Sequence, residues 1–239
     1  MRLVDQPWPD VQMGALILVP IGSCEQHGPH LPLNSDTCIA EAIAHHAAQA
    51  LSDLDPVVYV TPAITFGASG EHADFPGTLS VGTEALTLLL CEFARSAWWC
   101  SRIVFVNGHG GNVPSLITAV RLQRSEGRDV AWFACSSEGA DAHAGRAETS
   151  MLLALAPDRV HTGGGGSGVT TPIAELMPRL IAEGVRAVSP TGVLGDPTGA
   201  SPGEGRQRLA HMGLSLARAI RDWRLSRVGC VQDPSAGKG

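Results

Sequence analysis

The chain has 239 residues, a net charge of −6 and a hydrophobic fraction of 44%. This length suits one α/β domain, and no uninterrupted apolar run is long enough for a membrane-spanning helix. Basic residues form no block, so the charge pattern argues against nucleic-acid binding. The N-terminal segment MRLVDQPWPD lacks the basic and then apolar order of a signal peptide, so we expect a cytoplasmic protein.

Four apolar runs predict strands that are buried on both faces. In chain order they occupy residues 15–20, 57–61, 103–107 and 130–135. Segments of helical character lie between and after them, at residues 36–51, 83–98, 113–125, 145–155 and 203–226. Strands that alternate with helices favour βαβ units with right-handed crossovers. The sequence therefore predicts an α/β fold, a single-domain three-layer sandwich whose mainly parallel sheet is flanked by helices.

Three further stretches, residues 62–82, 163–168 and 189–205, are rich in glycine, proline or polar residues and predict loops. We expect loops 62–82 and 163–205 to form the walls of a cleft or subunit contacts. Because the chain shows no internal repeat and no linker, one domain is expected over residues 1–227. Residues 228–239 are predicted to form a disordered tail.

Three polar motifs that contain glycine follow predicted strands. GSCEQHG follows the first strand, NGHGGN the third and DAHAGRAETS the fourth. The carboxyl ends of parallel strands meet at one edge of the sheet, where ligands bind in folds of this class. Each motif alone is more typical of a turn, a helix start or an exposed polar segment. Their shared position predicts a functional site at that edge.

Carboxylate and imidazole side chains in these motifs suit a divalent metal. Glu25 and His27 are two residues apart and, in an extended segment, project to the same side. Asp36 begins a predicted helix and is the best candidate to bridge two ions, while His109 lies among glycines that permit close backbone approach. Glu148 is expected in the first turn of another helix, near the same edge. Mixed nitrogen and oxygen ligation is compatible with zinc, manganese or iron.

Taken together, the motifs resemble those of the creatininase family of amidohydrolases. The matching segments are LVPIGSCEQHGPHLPLNSDT at 18–37, FGASGEHADFPGTLSVG at 66–82, VFVNGHGGN at 104–112 and DAHAGRAETS at 141–150. The resemblance covers about residues 10–225. It implies a metal-dependent hydrolase of amide bonds that binds one or two divalent ions (zinc, iron or manganese) in each subunit of a homo-oligomer.

The resemblance also implies a ligand set. One ion would be held by Glu25, Asp36 and His109, and a second partly by His27 and Asp36. Creatinine hydrolase carries a glutamate ligand two residues after its metal-binding histidine, whereas this chain has Gly111 at that position. The H-A-G-x-x-E-T-S motif makes Glu148 the candidate for the missing carboxylate.

Further residues of the matching segments are candidates for catalysis and substrate binding. Asp36 and Glu148 are catalytic candidates beside their metal roles, with Asp36 orienting the attacking water. His143 is the candidate general acid, because histidine titrates near neutral pH. The substrate or its developing oxyanion would be bound by His72 and by the backbone N–H groups of Gly110 and Gly111.

Within the family, GSCEQHGPHLPL and GDPTGASPGEG are most similar to the mycofactocin-maturation branch. That similarity implies a peptidase that releases a modified C-terminal Val–Tyr dipeptide from a ribosomally made precursor peptide. The first alternative is a hydrolase of a small cyclic amide or formamide, such as creatinine or a formamidopyrimidine, with a smaller and more closed pocket. The second is a non-catalytic metal- or anion-binding protein, whose metal would leave no open coordination position.

Overall fold

A computed structural model describes residues 1–136, 139–161, 163 and 166–235. Its centre is a parallel four-stranded sheet with the strand order β2-β1-β3-β4. The strands are β1 (Leu16–Ile21), β2 (Val58–Val60), β3 (Arg102–Asn107) and β4 (Val130–Ala134). They coincide with the four apolar runs, so the predicted parallel sheet is confirmed.

The alternation of side chains along each strand explains why the runs are apolar throughout. Leu16 and Leu18 of β1 belong to a core on one face of the sheet. Their neighbours Ile17, Val19 and Ile21 belong to a second core on the opposite face. Both faces are therefore buried, as is usual for parallel sheets.

Seven α-helices surround the sheet in the described part of the chain. They are α1 (Ser35–Ala50), α2 (Gly82–Ser96), α3 (Val113–Ser125), α4 (Arg146–Leu155), α5 (Ile173–Glu183), α6 (Val185–Val188) and α7 (Pro202–Asp222). Helices α1, α4 and α7 pack together over one face, and α2 and α3 cover the other. The result is the predicted three-layer α/β sandwich. No helix among the described residues is long and apolar enough to cross a membrane.

Helices α5 and α6 occupy part of the stretch that the sequence predicts to be loop. Residues 163–205 are therefore not irregular throughout, and that prediction is wrong over Ile173–Val188. Leu176 and Leu180 of α5 are buried in a small apolar cluster of their own, which stabilises the helix although it contains a proline.

The segment after residue 227 also differs from its prediction. Cys230 pairs with Trp132 beside β4, and the side chain of Val231 is buried. Asp233 forms an ion pair with Arg218 of α7 at 2.7 Å. The expected disorder therefore does not apply to residues 228–235, because apolar and ionic contacts attach them to the sandwich. The final residues 236–239 lie outside the described part of the chain.

Candidate metal centre

The candidate ligands meet where the strand order reverses. The chain passes from β1 to β2 on one side of β1 and then to β3 on its other side. The connections after β1 and β3 therefore diverge and leave a crevice beyond the carboxyl ends of these two strands. The segment after β1 carries Glu25 and His27, and the segment after β3 carries His109. The structure therefore brings the first two of the three motifs together at this edge of the sheet.

Asp36 comes to the same crevice from the first turn of α1. A Cβ atom at Gly108 would lie 2.5 Å from the Asp36 carbonyl oxygen, so α1 can start this close to the end of β3 only because residue 108 is glycine. The two carboxylate oxygens of Asp36 face different histidines. Oδ1 lies 3.1 Å from Nε2 of His27, and Oδ2 lies 3.6 Å from Nδ1 of His109. This arrangement suits a carboxylate that bridges two ions.

Glu25 is fully buried between the histidines. Its Oε2 accepts a hydrogen bond from the Ser23 hydroxyl at 2.7 Å, and its Oε1 lies 3.1 Å from His109 Nδ1. Among the described residues, Glu25 Oε1 and Asp36 Oδ2 have no hydrogen-bond partner. Buried carboxylate oxygens without a hydrogen bond are costly, and a divalent cation would satisfy both. The residues therefore fit a metal.

The charges of the cluster also favour a cation. Burial opposes protonation of His27, but the neighbouring Asp36 carboxylate raises the pKa of its imidazole to about 10. Burial likewise opposes the charged form of His109, yet Glu25 raises its pKa well above the usual value. The carboxylates thus stabilise positive charge at the two ring nitrogens that face them, which are the nitrogens that would bind metal.

Helix α4 brings Glu148 to the same ring nitrogen of His27 that Asp36 contacts. Glu148 Oε2 lies 3.9 Å from His27 Nε2 and accepts a hydrogen bond from the backbone N–H of Ala144 at 2.7 Å. Ala144 has a φ of 53°, a left-handed conformation that is uncommon for alanine and turns the chain sharply between His143 and the helix. Ligand atoms of His27, His143 and Glu148 all lie within 4.8 Å of one another.

His143 presents one defined ring nitrogen to this cluster. The backbone of His143 pairs with that of Leu194, which fixes the loop before α4. His143 Nε2 lies 2.8 Å from the carbonyl oxygen of Gln26, so Nε2 carries the hydrogen and donates it. The other nitrogen, Nδ1, faces Glu25 Oε1 at 3.8 Å. Burial and the charge on His27 lower the pKa of His143, so its imidazole is neutral.

His72 lies inside the cluster. It ends a short 3-10 helix, Gly70–His72, and is buried. The Gln26 side-chain oxygen accepts from the Gly28 N–H, which orients the amide so that its nitrogen donates to His72 Nδ1 at 2.8 Å. His72 Nε2 then faces Glu25 Oε1 at 3.4 Å. Burial lowers the pKa of His72 to about 3, against the attraction of Glu25.

Two asparagines that the sequence reasoning did not single out join the loops. Asn112 Oδ1 accepts from the Ala68 N–H, and its amide nitrogen donates to the Gly22 carbonyl and to Asn107 Oδ1. Asn107 in turn donates to the His109 carbonyl at 2.7 Å. The sequence reasoning does not single out Gln26 either. A position at or just after the carboxyl end of a strand is the only signal in the sequence for these polar residues, because their hydrogen-bond partners come from distant segments.

A cavity of about 910 Å³ opens over the cluster. Asp36, His143 and Glu148 line it together with Gly110 and Gly111, which belong to a 3-10 helix, Gly110–Asn112. Apolar side chains from α5 also line it, namely Ile173, Met177, Leu180 and Ile181. The cavity therefore joins a polar, metal-binding region to an apolar wall.

A family model described as creatinine amidohydrolase matches residues 5–220. The chain belongs to the creatininase family. Among its relatives, the mycofactocin precursor peptide peptidase of Mycolicibacterium smegmatis is 54% identical over 223 residues, which cover 92% of this chain and 90% of the relative. The family assignment makes the chain a metal-dependent hydrolase of the amidohydrolase type, as the sequence predicts.

Solved creatininases share the fold. A manganese form matches with a TM-score of 0.73 and 26% identity, covering 92% of this chain and 97% of its own. A mutant form of the zinc–zinc type matches with a TM-score of 0.71 and 26% identity, covering 87% of this chain and 90% of its own. Creatininases thus bind divalent metals, and the residues of this centre have the donor set that such ions require.

Proposed function

We propose that this chain is a metal-dependent peptidase that releases the modified C-terminal Val–Tyr dipeptide from the mycofactocin precursor peptide. The observation that carries this proposal is the 54% identity with a mycofactocin precursor peptide peptidase across 92% of the chain. The buried carboxylate and histidine cluster supports the hydrolytic chemistry. The cavity above it supports a peptide substrate.

The proposed ligand set follows the contacts in the centre. Glu25 Oε1, Asp36 Oδ2 and His109 Nδ1 would hold one ion, since the nitrogen lies 3.1 and 3.6 Å from the two oxygens. His27 Nε2, Asp36 Oδ1 and Glu148 Oε2 would hold a second, with Glu148 as the carboxylate that Gly111 does not supply. Zinc, manganese and iron all suit this mixture of donors.

A bound divalent ion supplies Lewis acidity, which lowers the pKa of a water molecule and polarises the carbonyl of the scissile amide. Asp36 would orient that water through its carboxylate. Because His143 is neutral and its Nδ1 faces the cluster, it would first accept the proton of the water at Nδ1. It would then deliver the proton to the leaving nitrogen, as the predicted general acid.

Substrate binding involves the residues around this chemistry. Gly110 and Gly111 line the cavity, where their backbone N–H groups would bind the substrate carbonyl or its developing oxyanion. His72 Nε2 faces Glu25 inside the cluster, so its contribution to binding would be a hydrogen bond at the floor of the cavity.

The size of the cavity favours the peptide over a small cyclic amide. A volume of about 910 Å³ lies at the upper end of the range for ligand pockets, and the α5 wall would contact apolar side chains of the dipeptide. A pocket specific for creatinine or a formamidopyrimidine is expected to be smaller and more closed. Asp36 and Glu148 both line this cavity, which disfavours a purely structural metal with a closed coordination sphere.

The experiment that tests this function compares substrates by mass spectrometry. Metal-loaded protein is incubated separately with the modified precursor, with creatinine and with a formamidopyrimidine. Release of the dipeptide species from the precursor is the expected result. Formation of creatine or loss of formate with an intact precursor would assign the protein to the small-amide branch. An absence of turnover with all three would favour the non-catalytic alternative.

Two further predictions belong to this proposal. The family resemblance predicts a homo-oligomer, which light scattering after size-exclusion chromatography would measure. Leu88 and Leu89 of α2 and the nearby Trp98 are 61%, 47% and 74% exposed, so α2 offers apolar area for such a contact.

The proposed location is the cytoplasm, where the precursor is made.

A further inference from the structure

Glu71 lies on the side of the His109 ring that faces away from the metal-ligand carboxylates. Its Oε1 is 3.3 Å from His109 Nε2, whereas the other ring nitrogen, Nδ1, is 3.1 Å from Glu25 Oε1. The carbonyl oxygen of Ala68 is 3.2 Å from the same Nε2. One nitrogen of His109 thus faces the centre, and two acceptors surround the other.

This arrangement requires a residue without a side chain at position 111. A Cβ atom on Gly111 would be 2.4 Å from His109 Nε2, 2.5 Å from Glu71 Oε1 and 2.4 Å from the Ala68 carbonyl oxygen. Atoms do not approach so closely, so a side chain would displace the ring or its acceptors. A Cβ atom on the adjacent Gly110 would meet no described atom within 4 Å.

The position of Glu71 in the chain agrees with this contact. Glu71 precedes His72 in the same 3-10 helix, so one short element contacts His109 from outside the cluster and Glu25 from within it.

We propose that Glu71 is a positioning residue that holds His109 through Nε2, so that Nδ1 is directed at the metal, and that Gly111 provides the space this carboxylate needs. A carboxylate on the outer nitrogen of a metal-binding histidine fixes the orientation of the ring and increases its basicity. The inference rests on the metal site of the proposed function but not on the identity of its substrate. Gly111 thus leaves room for a carboxylate from another segment of this chain.

Zinc affinity, measured by competition with a chromophoric chelator, tests the role of Glu71. Glu71→Ala is expected to weaken zinc binding about 10- to 100-fold, the usual effect of removing an outer carboxylate. Glu71→Gln should lose less, because the amide oxygen still accepts from Nε2. Glu175→Ala, which removes an exposed carboxylate from α5, is the control and should retain the affinity of the unaltered protein. Unchanged zinc affinity in Glu71→Ala would overturn the proposal.

The link to Gly111 has its own test. Gly111→Ala should weaken zinc binding as Glu71→Ala does, and the double variant should lose little more than either single variant, since both changes disturb one contact. Gly110→Ala is the matched control for zinc affinity. Strictly additive losses would contradict the coupling between the two residues.

A spectroscopic readout separates positioning from general destabilisation. The visible spectrum of the cobalt-loaded protein should change in Glu71→Ala and remain the same in Glu175→Ala, while the thermal midpoints of the metal-free proteins stay close. No peptide is present in these measurements. Failure of precursor cleavage would therefore count against the proposed function alone, whereas a protein that binds no zinc would overturn both proposals.

Discussion

Two neighbouring buried histidines at the centre have pKa values that are shifted in opposite directions. The rings of His27 and His143 are 4.3 Å apart, yet the pKa of His27 is raised to about 10 and that of His143 is lowered. The difference comes from their partners. His27 Nε2 faces the Asp36 carboxylate, whereas His143 Nε2 donates to the uncharged carbonyl of Gln26. Positive charge is therefore favoured at His27 Nε2, where a cation would bind, whereas the neutral ring of His143 can accept a proton at Nδ1 and pass it on.

The first prediction separates these two roles. His143→Ala should retain the zinc content of the unaltered protein and lose about 10²- to 10⁴-fold in kcat, the usual contribution of a positioned acid or base. Metal analysis and precursor cleavage would be measured on the same preparation. His211→Ala, an exposed histidine of α7, is the control. His143 lies within reach of the ligand cluster, so a loss of zinc in parallel with activity would assign it as a ligand instead.

Sequence reasoning identified the residues of the centre that lie beside strand ends. Glu25 and His109 follow β1 and β3, and Asp36 begins α1, so the βαβ order was sufficient to bring them together. Gln26 and Glu71 could not be found in this way. Their roles depend on partners that the fold brings from distant loops, and neither residue type nor local spacing indicates such contacts.

At the scale of elements, α5 contributes the apolar side of the cavity. Leu176 and Leu180 attach the helix to its own small core, while Ile173, Met177 and Ile181 are 42%, 41% and 78% exposed. The exposed three line the cavity together with Leu180. The buried residues thus hold α5 in place, while its exposed residues offer apolar surface to a ligand.

The second prediction concerns that surface. Ile181→Asp should raise KM for the precursor about tenfold, because loss of an apolar contact of this size costs about 1.5 kcal/mol. Zinc affinity should not change, since Ile181 is an exposed apolar residue of the cavity wall and offers no ligand atom. Leu214→Asp places the same charge on an exposed leucine of α7 and serves as the control. Equal KM values for all three proteins would show that α5 does not contact the peptide.

The sequence contains a signal for α5 that its composition obscures. Ile173, Leu176, Met177, Leu180 and Ile181 follow the i, i+3, i+4, i+7, i+8 spacing of an amphipathic helix. Pro178 inside the helix and the glycine-rich sequence before it are both typical of loops, so they obscure this pattern. Packing of the apolar residues decides the outcome, and that packing depends on Val185 and Leu194 farther along the chain.

The third prediction concerns the C-terminal segment. The ion pair and hydrogen bonds with Arg218 lower the pKa of Asp233. A carboxyl group whose pKa is lower in the folded state stabilises the fold above its unfolded pKa of about 4, and this contribution is lost as pH falls below that value. Asp233→Asn should therefore lower the melting temperature by about 2–4 °C at pH 7, for a contribution near 1 kcal/mol.

The test follows the melting temperatures of both proteins from neutral to acidic pH. Their difference should shrink progressively as pH falls below about 4, because Asp233 then binds a proton in the unfolded reference protein before it does so in the folded one, where its pKa is lowered. Asp53→Asn removes a carboxylate of a fully exposed pair with Arg221 and should have little effect at any pH. A difference that does not depend on pH would mean that the Asp233 charge does not hold the segment.

At the scale of the whole molecule, one topological feature determines where the chemistry takes place. In the sheet order β2-β1-β3-β4, the chain adds β2 on one side of β1 and β3 on the other. The candidate ligands lie in the segments that follow β1 and β3. An alternation of strands and helices along a sequence is enough to predict such a crevice. The length of the chain and its apolar runs therefore predicted the layers of the fold and the edge that carries the site. The shape of the cavity was not predictable, because it depends on α5.

The most direct test of the account is the metal dependence of dipeptide release from the modified precursor. The protein is stripped of metal with a chelator, zinc or manganese is returned in measured amounts, and the products are followed by mass spectrometry. We predict that the dipeptide species appears in proportion to the metal bound and is absent for the Asp36→Asn variant. Equal release by the metal-free protein, or an intact precursor with the metal site filled, would contradict a peptidase whose centre is Glu25, His27, Asp36 and His109.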